Sequence, residues 1–327
     1  MKFLFIAPRY TGGIGGHAAR LAAGLRGINI EVDLLHAPHL NAAGLRNPSF
    51  ALSSAITALF RRKQYGIVHA FNVPSAPAMR CARGIVRVLS VHGEYARQVG
   101  ALHAGAAARA AGAAESLAFR WADGLVTDSR AVQESYAASG ASFEVLPNPL
   151  DTIQLEKIGR PEKVPGQVAY VGRDSYEKGI DILRGIEGNI RGTAVYCTGM
   201  PWAEAMQKLA ESELLVLPSR MESSPQVIKE AFYLGVPVVA ASVGGVPEMV
   251  IDGENGVLVP PEDPGALLNA VNDVLDDSKW AAKLARAGRE SAREYTWKEV
   301  LPKYIRFYRD LVEPKCDFRS PSSSSIE

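Results

Sequence analysis

Between Leu214 and Ala241 the chain runs strand, loop, helix and strand, and residue types mark each boundary. Leu214 to Leu217 is a continuous apolar run, the pattern of a strand covered on both faces. Pro218 ends it, Glu222 falls in the loop, and Ser224-Pro225 reads as N-cap and first helical position. Val227, Ile228, Ala231 and Leu234 then make an apolar stripe, with Gln226, Lys229, Glu230 and Tyr233 on the opposite one. Gly235 stops the helix, and Val236 to Ala241 restarts a buried strand. Ligands of open α/β sheets bind at strand ends. Glu222 and Glu230 are therefore candidate ligand-binding acids, the plain alternative being a solvated helix face.

The same alternation extends to both ends of the chain. Phe3–Ala7, Glu31–Leu35, Ile67–Phe71, Val86–Val91, Gly124–Thr127 and Phe143–Leu146 read as strands of a first half. A helix is predicted over Asn47–Lys63 with Phe50, Ile56, Leu59 and Phe60 inward, and Arg61-Arg62-Lys63 capping its end. A lipid-headgroup patch is the other reading of that basic cluster. Helices are also expected at Ala101–Trp121 and Arg130–Ala138. Pro147-Asn148-Pro149 then breaks the pattern, and the charged, proline-punctuated segment to Gly166 reads as an interdomain hinge.

A second half starts at Gln167–Val171, with a further strand at Thr193–Cys197 and helices at Ile180–Ile186 and Pro264–Leu275. Two long helices, Trp280–Tyr295 and Trp297–Val312, close it. The expected boundaries are 1–150 plus 298–313 for the first domain, 165–297 for the second, and a disordered tail over 314–327. At 327 residues, two domains are the natural division.

Charge and cysteine content narrow the chemistry. A net charge of +1 gives no global attraction to nucleic acid, and no nucleic-acid partner is expected. Three scattered cysteines, Cys81, Cys197 and Cys316, show no disulfide framework or zinc spacing. No metal and no cofactor are expected. The opening apolar run is too short for a signal peptide, so the expected location is the cytoplasm, with peripheral contact at the inner face of a membrane left open.

Two further loops follow strands. Gly12-Gly13-Ile14-Gly15-Gly16 opens a helix after the first strand, where backbone can approach a phosphate. It matches a dinucleotide fingerprint only loosely, because the next strand ends in His36 rather than an acid. Arg173 and Lys178 lie between a strand and a helix. Either alone would be an ordinary surface charge.

Glu222 and Glu230 with Gly235-Val236-Pro237-Val238-Val239 and Gly244-Gly245-Val246-Pro247-Glu248 resemble the family-4 retaining glycosyltransferases of GT-B fold. The resemblance is strongest over Val168–Pro261 and implies two Rossmann-like parallel-sheet domains facing across a cleft. It also implies a C-terminal helix crossing back to the N-terminal domain. It further implies a donor site in which Glu222 holds the sugar, Glu230 the ribose, and Arg173 and Lys178 the diphosphate. Gly12 and Gly13 would face the phosphate, His92 the reacting sugar, and Thr198 the nucleotide base. Catalytic roles are expected of His92, Arg173, Lys178 and Glu222.

Where many relatives have Gly-Phe-Gly after the first Glu, this chain has Ser223-Ser224-Pro225. Pro225 has no N–H to donate, leaving Ser223, Ser224, Gln226 and the neighbouring Val227 to meet the donor. The activity expected is transfer of a hexose from a nucleoside-diphosphate sugar to a glycan, lipid-linked or small-molecule acceptor, in surface glycan or glycolipid assembly. A phosphorylase or disaccharide-phosphate synthase of the same fold, and a non-catalytic nucleotide-sugar-binding partner, are the alternatives.

Overall fold

The computed structural model describes residues 1–9, 13–40, 45–102 and 105–316. Gly12 and His103 lie outside the described residues, as does the tail from 317 onward. The chain divides into two compact units. The first comprises Met1–Thr127, Tyr136–Leu146 and Leu301–Glu327, and the second Asp128–Ser135 and Pro147–Val300.

In the first unit, strands β1 (Lys2–Ile6), β2 (Glu31–Leu35), β3 (Tyr65–Ala70), β4 (Gly84–Val91), β5 (Gly124–Thr127) and β6 (Phe143–Val145) form one sheet. Its order is β2-β1-β3-β4-β5-β6, and every pairing is parallel. The helices between them are α1 (Gly13–Gly27), α2 (Arg46–Phe60), α3 (Ala76–Cys81), α4 (Tyr95–Leu102), α5 (Ala106–Trp121) and α6 (Arg130–Ser135), the last of which belongs to the second unit. Strand Tyr65–Ala70 is buried at every position, His69 included, as a sheet covered on both faces requires.

The second unit holds α7 (Thr152–Ile158), β7 (Gln167–Val171), α8 (Ile180–Ile186), β8 (Thr193–Cys197), α9 (Trp202–Glu211) and β9 (Leu214–Leu217). It continues with α10 (Gln226–Leu234), β10 (Val238–Ala241), β11 (Val257–Val259), α11 (Pro264–Asp276) and α12 (Ser278–Ala292). Its sheet is again wholly parallel, ordered β11-β10-β9-β7-β8. The final helix, α13 (Trp297–Cys316), enters the first unit from Leu301, where Tyr304 and Tyr308 are buried. Two Rossmann-like parallel sheets and this closing helix make the GT-B architecture.

Several expectations needed correction. On α2 only Phe50 points inward. Ile56, Leu59 and Phe60 are 49, 61 and 78% exposed, because Phe50, Ser54 and Ala58 on the opposite side fill the packing surface. Arg61 is the C-cap of α2, its N–H donating to the Ala58 carbonyl at 3.2 Å, but the side chains of Arg61 and Lys63 reach Asp33, at 3.8 and 3.3 Å. The alanine-rich stretch is broken, with α4 ending at Leu102 and α5 starting at Ala106 after Gly105 at φ +75°. The supposed hinge contains helix α7, capped by the Asp151 side chain accepting from the Gln154 N–H. Helix α13 runs to Cys316 rather than giving way to a tail at 314.

Candidate donor-binding site

The carboxyl edge of the second sheet is assembled from loops that need glycine. Gly179 has φ +63°, and a Cβ there would strike the backbone oxygen of Pro218. Gly244, at φ +52°, and Gly245 lie as close to the backbone oxygens of Glu222 and Ser223. The three loops after β7, β9 and β10 are thus packed backbone to backbone, which side chains at these positions would prevent. Glu177 completes the join, its carbonyl accepting the N–H groups of Arg220 at 2.9 Å and Met221 at 3.2 Å.

This packing brings Lys178 to Glu222. The Lys178 Nζ donates to Glu222 Oε1 at 2.6 Å, and the Ser219 hydroxyl donates to the same oxygen at 2.8 Å. The Glu222 side chain is 6% exposed and that of Lys178 22%, so the pair sits in a partly desolvated setting where charge acts strongly. Arg173, on the same loop, is placed differently. Its guanidinium pairs with Glu177 at 2.8 Å and is 74% exposed. Tyr170 supports this loop by donating to the Arg173 carbonyl at 2.7 Å; burial, then the nearby Glu222 charge, raises its phenol pKa.

Arg220 was missed in the sequence, and it ties these loops together. Its guanidinium donates to both Asp181 oxygens at 2.8 Å, to Glu262 at 2.9 Å and to the Tyr176 carbonyl at 2.9 Å. It also lies 4.2 Å over the Tyr176 ring. The bond to Asp181 is the main cause of its raised pKa. Its only sequence signal was its position, two residues before Glu222 inside the motif loop.

Helix α10 begins at Gln226 with Pro225 as N-cap, so Ser224 does not cap it. The Ser224 hydroxyl faces Met249 Sδ at 3.7 Å instead. The polar stripe of α10 is not solvated: Lys229 is fully buried and Glu230 is 6% exposed. Lys229 Nζ donates to the Asn148 carbonyl at 3.3 Å and lies 4.8 Å over the Tyr295 ring. Glu230 Oε1 accepts from Trp202 Nε1 at 2.9 Å, a partner the sequence reading did not supply. Gln226 Nε2 donates to the Pro149 carbonyl at 3.2 Å, while its Oε1 is buried without a partner among the described residues.

Ser223 donates to Asp128, which also accepts from Asn148 Nδ2 at 2.9 Å; Ser129 Oγ lies 3.3 Å from Ser223 Oγ. Val227 packs partly buried against the α10 core, and Thr198 is half-buried just past β8. Glu248, in the glycine motif, accepts the N–H groups of Arg130 and Ala131 at 2.8 and 2.7 Å.

In the first unit, Gly13 opens α1 at φ +55°, with nothing among the described residues near its Cβ position. His92, just after β4, lies 3.4 Å from His17 through Nε2 and Nδ1. His17 is 1% exposed, and its Nε2 meets the Tyr304 hydroxyl of α13 at 3.1 Å. His69 is fully buried between the Tyr308 hydroxyl and Ser90 Oγ, each at 2.7 Å; burial, then the nearness of His92, lowers its pKa well below 6.5. No group of three or more His, Cys, Asp and Glu able to hold a metal occurs among the described residues.

Two parallel-sheet units, one carrying a part-buried acid–ammonium pair at its strand ends, are the arrangement of a GT-B protein. Comparison with known proteins agrees. The model described as Glycosyltransferase Family 4 matches residues 11–154, and that described as Glycosyl transferases group 1 matches residues 190–291. A glycogen synthase of Mycobacterium tuberculosis (strain CDC 1551 / Oshkosh) is 28% identical over 74% of this chain and 68% of its own length. The D-inositol 3-phosphate glycosyltransferase of Thermobifida fusca (strain YX) is 34% identical over 34% of this chain and 26% of its own.

Among solved structures, sucrose-phosphate synthase from Thermosynechococcus elongatus superposes with a TM-score of 0.75 at 20% identity, covering 96% of this chain and 99% of that one. Anabaena HepE in complex with UDP-glucose gives 0.71 at 18%, covering 95 and 100%. The chain belongs to the family-4 glycosyltransferases of GT-B fold.

Proposed function

We propose that this enzyme is a retaining glycosyltransferase that moves a hexose from a nucleoside-diphosphate sugar to an acceptor hydroxyl. The observation that carries the reading is the Lys178–Glu222 contact of 2.6 Å at the carboxyl edge of the second sheet. A cation and an acid fixed there suit the two ends of one donor. Lys178, with Arg173, meets the charge that grows on the departing diphosphate, and Glu222 orients the sugar hydroxyls. Glu230, held by Trp202, takes the ribose, and Thr198 borders the base.

Ser223, Ser224 and Gln226 stand in for the backbone donors that Pro225 removes. Gly12, Gly13 and His92 are assigned the phosphate and the sugar through the family resemblance. No covalent nucleophile or metal is called for, because the leaving phosphate oxygen takes the acceptor's proton. UDP-glucose in the HepE complex supports a nucleotide sugar as donor. The glycogen synthase and inositol phosphate glycosyltransferase relatives support a glycan or small-molecule acceptor; surface glycan or glycolipid assembly is the setting we propose.

The test is a donor panel of UDP-, GDP- and ADP-hexoses read by mass spectrometry, with the product's anomeric configuration read by NMR. Turnover of at least one donor with retained configuration is expected. Consumption of inorganic phosphate in place of a nucleotide sugar, or inversion at the anomeric carbon, overturns the reading.

A further inference from the structure

Helix α2 carries two apolar faces, and the first unit uses only one of them. Phe50, Ser54 and Ala58 are buried. Leu52, Ile56, Leu59 and Phe60 are 65, 49, 61 and 78% exposed. At 3.6 residues per turn these four fall within roughly 100° of arc, on the side away from the buried three. They form one stripe, and no charged residue stands between Arg46 and Arg61. This is not the scatter of single apolar residues that any surface shows.

The charge around the stripe is one-sided. No Asp or Glu occurs between Asp33 and Glu94, while seven lysines and arginines do, in a chain whose net charge is +1. Arg61, Arg62 and Lys63 follow the helix directly. Arg83 joins them, since its carbonyl accepts the Tyr65 N–H at 2.9 Å where β3 starts beside β4. Asp33 answers Arg61 and Lys63 together, one acid for two cations, and Lys2 shares it at 3.7 Å. The stripe therefore ends in an excess of positive charge.

A second copy of this chain fits such a face poorly. Two-fold pairing of identical helices sets the basic end against another basic end when they run parallel and against the Arg46 end when they run antiparallel, and no acid in the segment answers it either way. An anionic bilayer supplies both missing partners at once. Its acyl boundary takes the apolar side chains, and its headgroup phosphates take the arginines and lysine. We infer that the outer face of α2 docks this enzyme onto an anionic lipid surface. Leu52, Ile56, Leu59 and Phe60 enter the headgroup boundary, and Arg62 and Arg83 meet lipid phosphates. The inference goes beyond glycosyl transfer and needs no donor.

Flotation of the purified full chain with vesicles tests it, comparing phosphatidylcholine alone with equal parts phosphatidylcholine and phosphatidylglycerol. Binding to the mixed vesicles is expected to be about tenfold or more above that to phosphatidylcholine, and to fall as salt rises from about 0.1 to about 0.5 M. Leu59→Ser with Phe60→Ser removes two side chains that face outward. It should cost about tenfold or more in vesicle binding while the melting temperature and circular dichroism stay unchanged. Arg62→Glu with Arg83→Glu should lose the preference for phosphatidylglycerol.

No binding of the wild type to mixed vesicles, or equal binding by Leu59→Ser/Phe60→Ser, overturns the proposal. So does a dimer, seen by analytical ultracentrifugation, that this double variant dissociates; the stripe then belongs to a second copy. Because the readout is binding to lipid, failure of the donor panel leaves it intact.

Discussion

The candidate groups of the second unit stand on loops held together by charge and glycine, whereas those of the first stand in a neutral hydrogen-bonded interior. Lys178, Glu222 and Arg220 each pair with oppositely charged side chains at 2.6–2.9 Å, with one hydroxyl and one carbonyl beside them. His17, His69, Tyr304 and Tyr308 are buried, and their partners are hydroxyls and ring nitrogens. A charge-held site tolerates little loss of a partner, because the remaining charge is left partly desolvated. A neutral chain tolerates substitution better but resists protonation. The two regions should therefore respond differently to mutation and to pH.

The sharpest break of that contrast is at the ion pair. Lys178→Ala and Glu222→Ala are each expected to lower turnover about 10²–10³-fold in a donor assay, with the fold retained by circular dichroism. If both keep near wild-type rates, the second unit's loops do not carry the chemistry. Arg220 comes next, as a positioning residue. Arg220→Ala frees the loops bearing Lys178 and Glu222 and should cost about tenfold or more in kcat. Arg220→Lys should recover only part of it, since an ammonium cannot make the bidentate contact with Asp181.

In the first unit the sensitive variable is pH. His69 stays neutral in the fold, so below pH 6.5 the unfolded chain binds a proton that the folded chain does not. Stability should fall as pH drops through that value, by at most about 1.4 kcal/mol per pH unit. Urea midpoints at pH 5 and 7 measure it, and His69→Gln should flatten the difference. An acid limb that His69→Gln leaves in place assigns the proton to another group.

A comparable pH effect, of a different group, is expected back in the second unit. Burial lowers Lys163 to about 8, against an ordinary 10.5, while its ammonium donates to the carbonyls of Ala210 and Ser212 at 2.9 and 2.8 Å. Between these two values the unfolded chain holds more protons than the folded one, so stability should rise with pH across that window. Lys163→Met should remove the rise, which thermal melts at pH 8 and pH 10 would reveal.

Much of the fold was legible along the chain. Glu31–Leu35, Gln167–Val171, Thr193–Cys197 and Ile180–Ile186 fall where apolar runs and their glycine or proline boundaries put them. Glu222 was legible for the same reason, lying in a loop bounded by a strand and a helix. Helix α2 shows the limit of such reading. Periodicity identified it as a helix carrying apolar residues but could not say which of two apolar faces the core would accept, since both have helical spacing. Likewise the polar stripe of α10 left a solvated face open beside the ligand-binding reading, and only packing against Asn148, Tyr295 and Trp202 shows that Lys229 and Glu230 are buried.

By itself the sequence determined the order and kind of the elements, because hydrophobic period and turn residues act locally. It also marked the acids and cations that strand ends would present. What only the tertiary structure decided was partnership: Lys178 with Glu222 across 44 residues, Arg220 with Asp181 and Glu262, and His92 with His17. Those contacts depend on which loops three-dimensional packing brings within a few ångströms of one another, and spacing along a chain does not encode that distance.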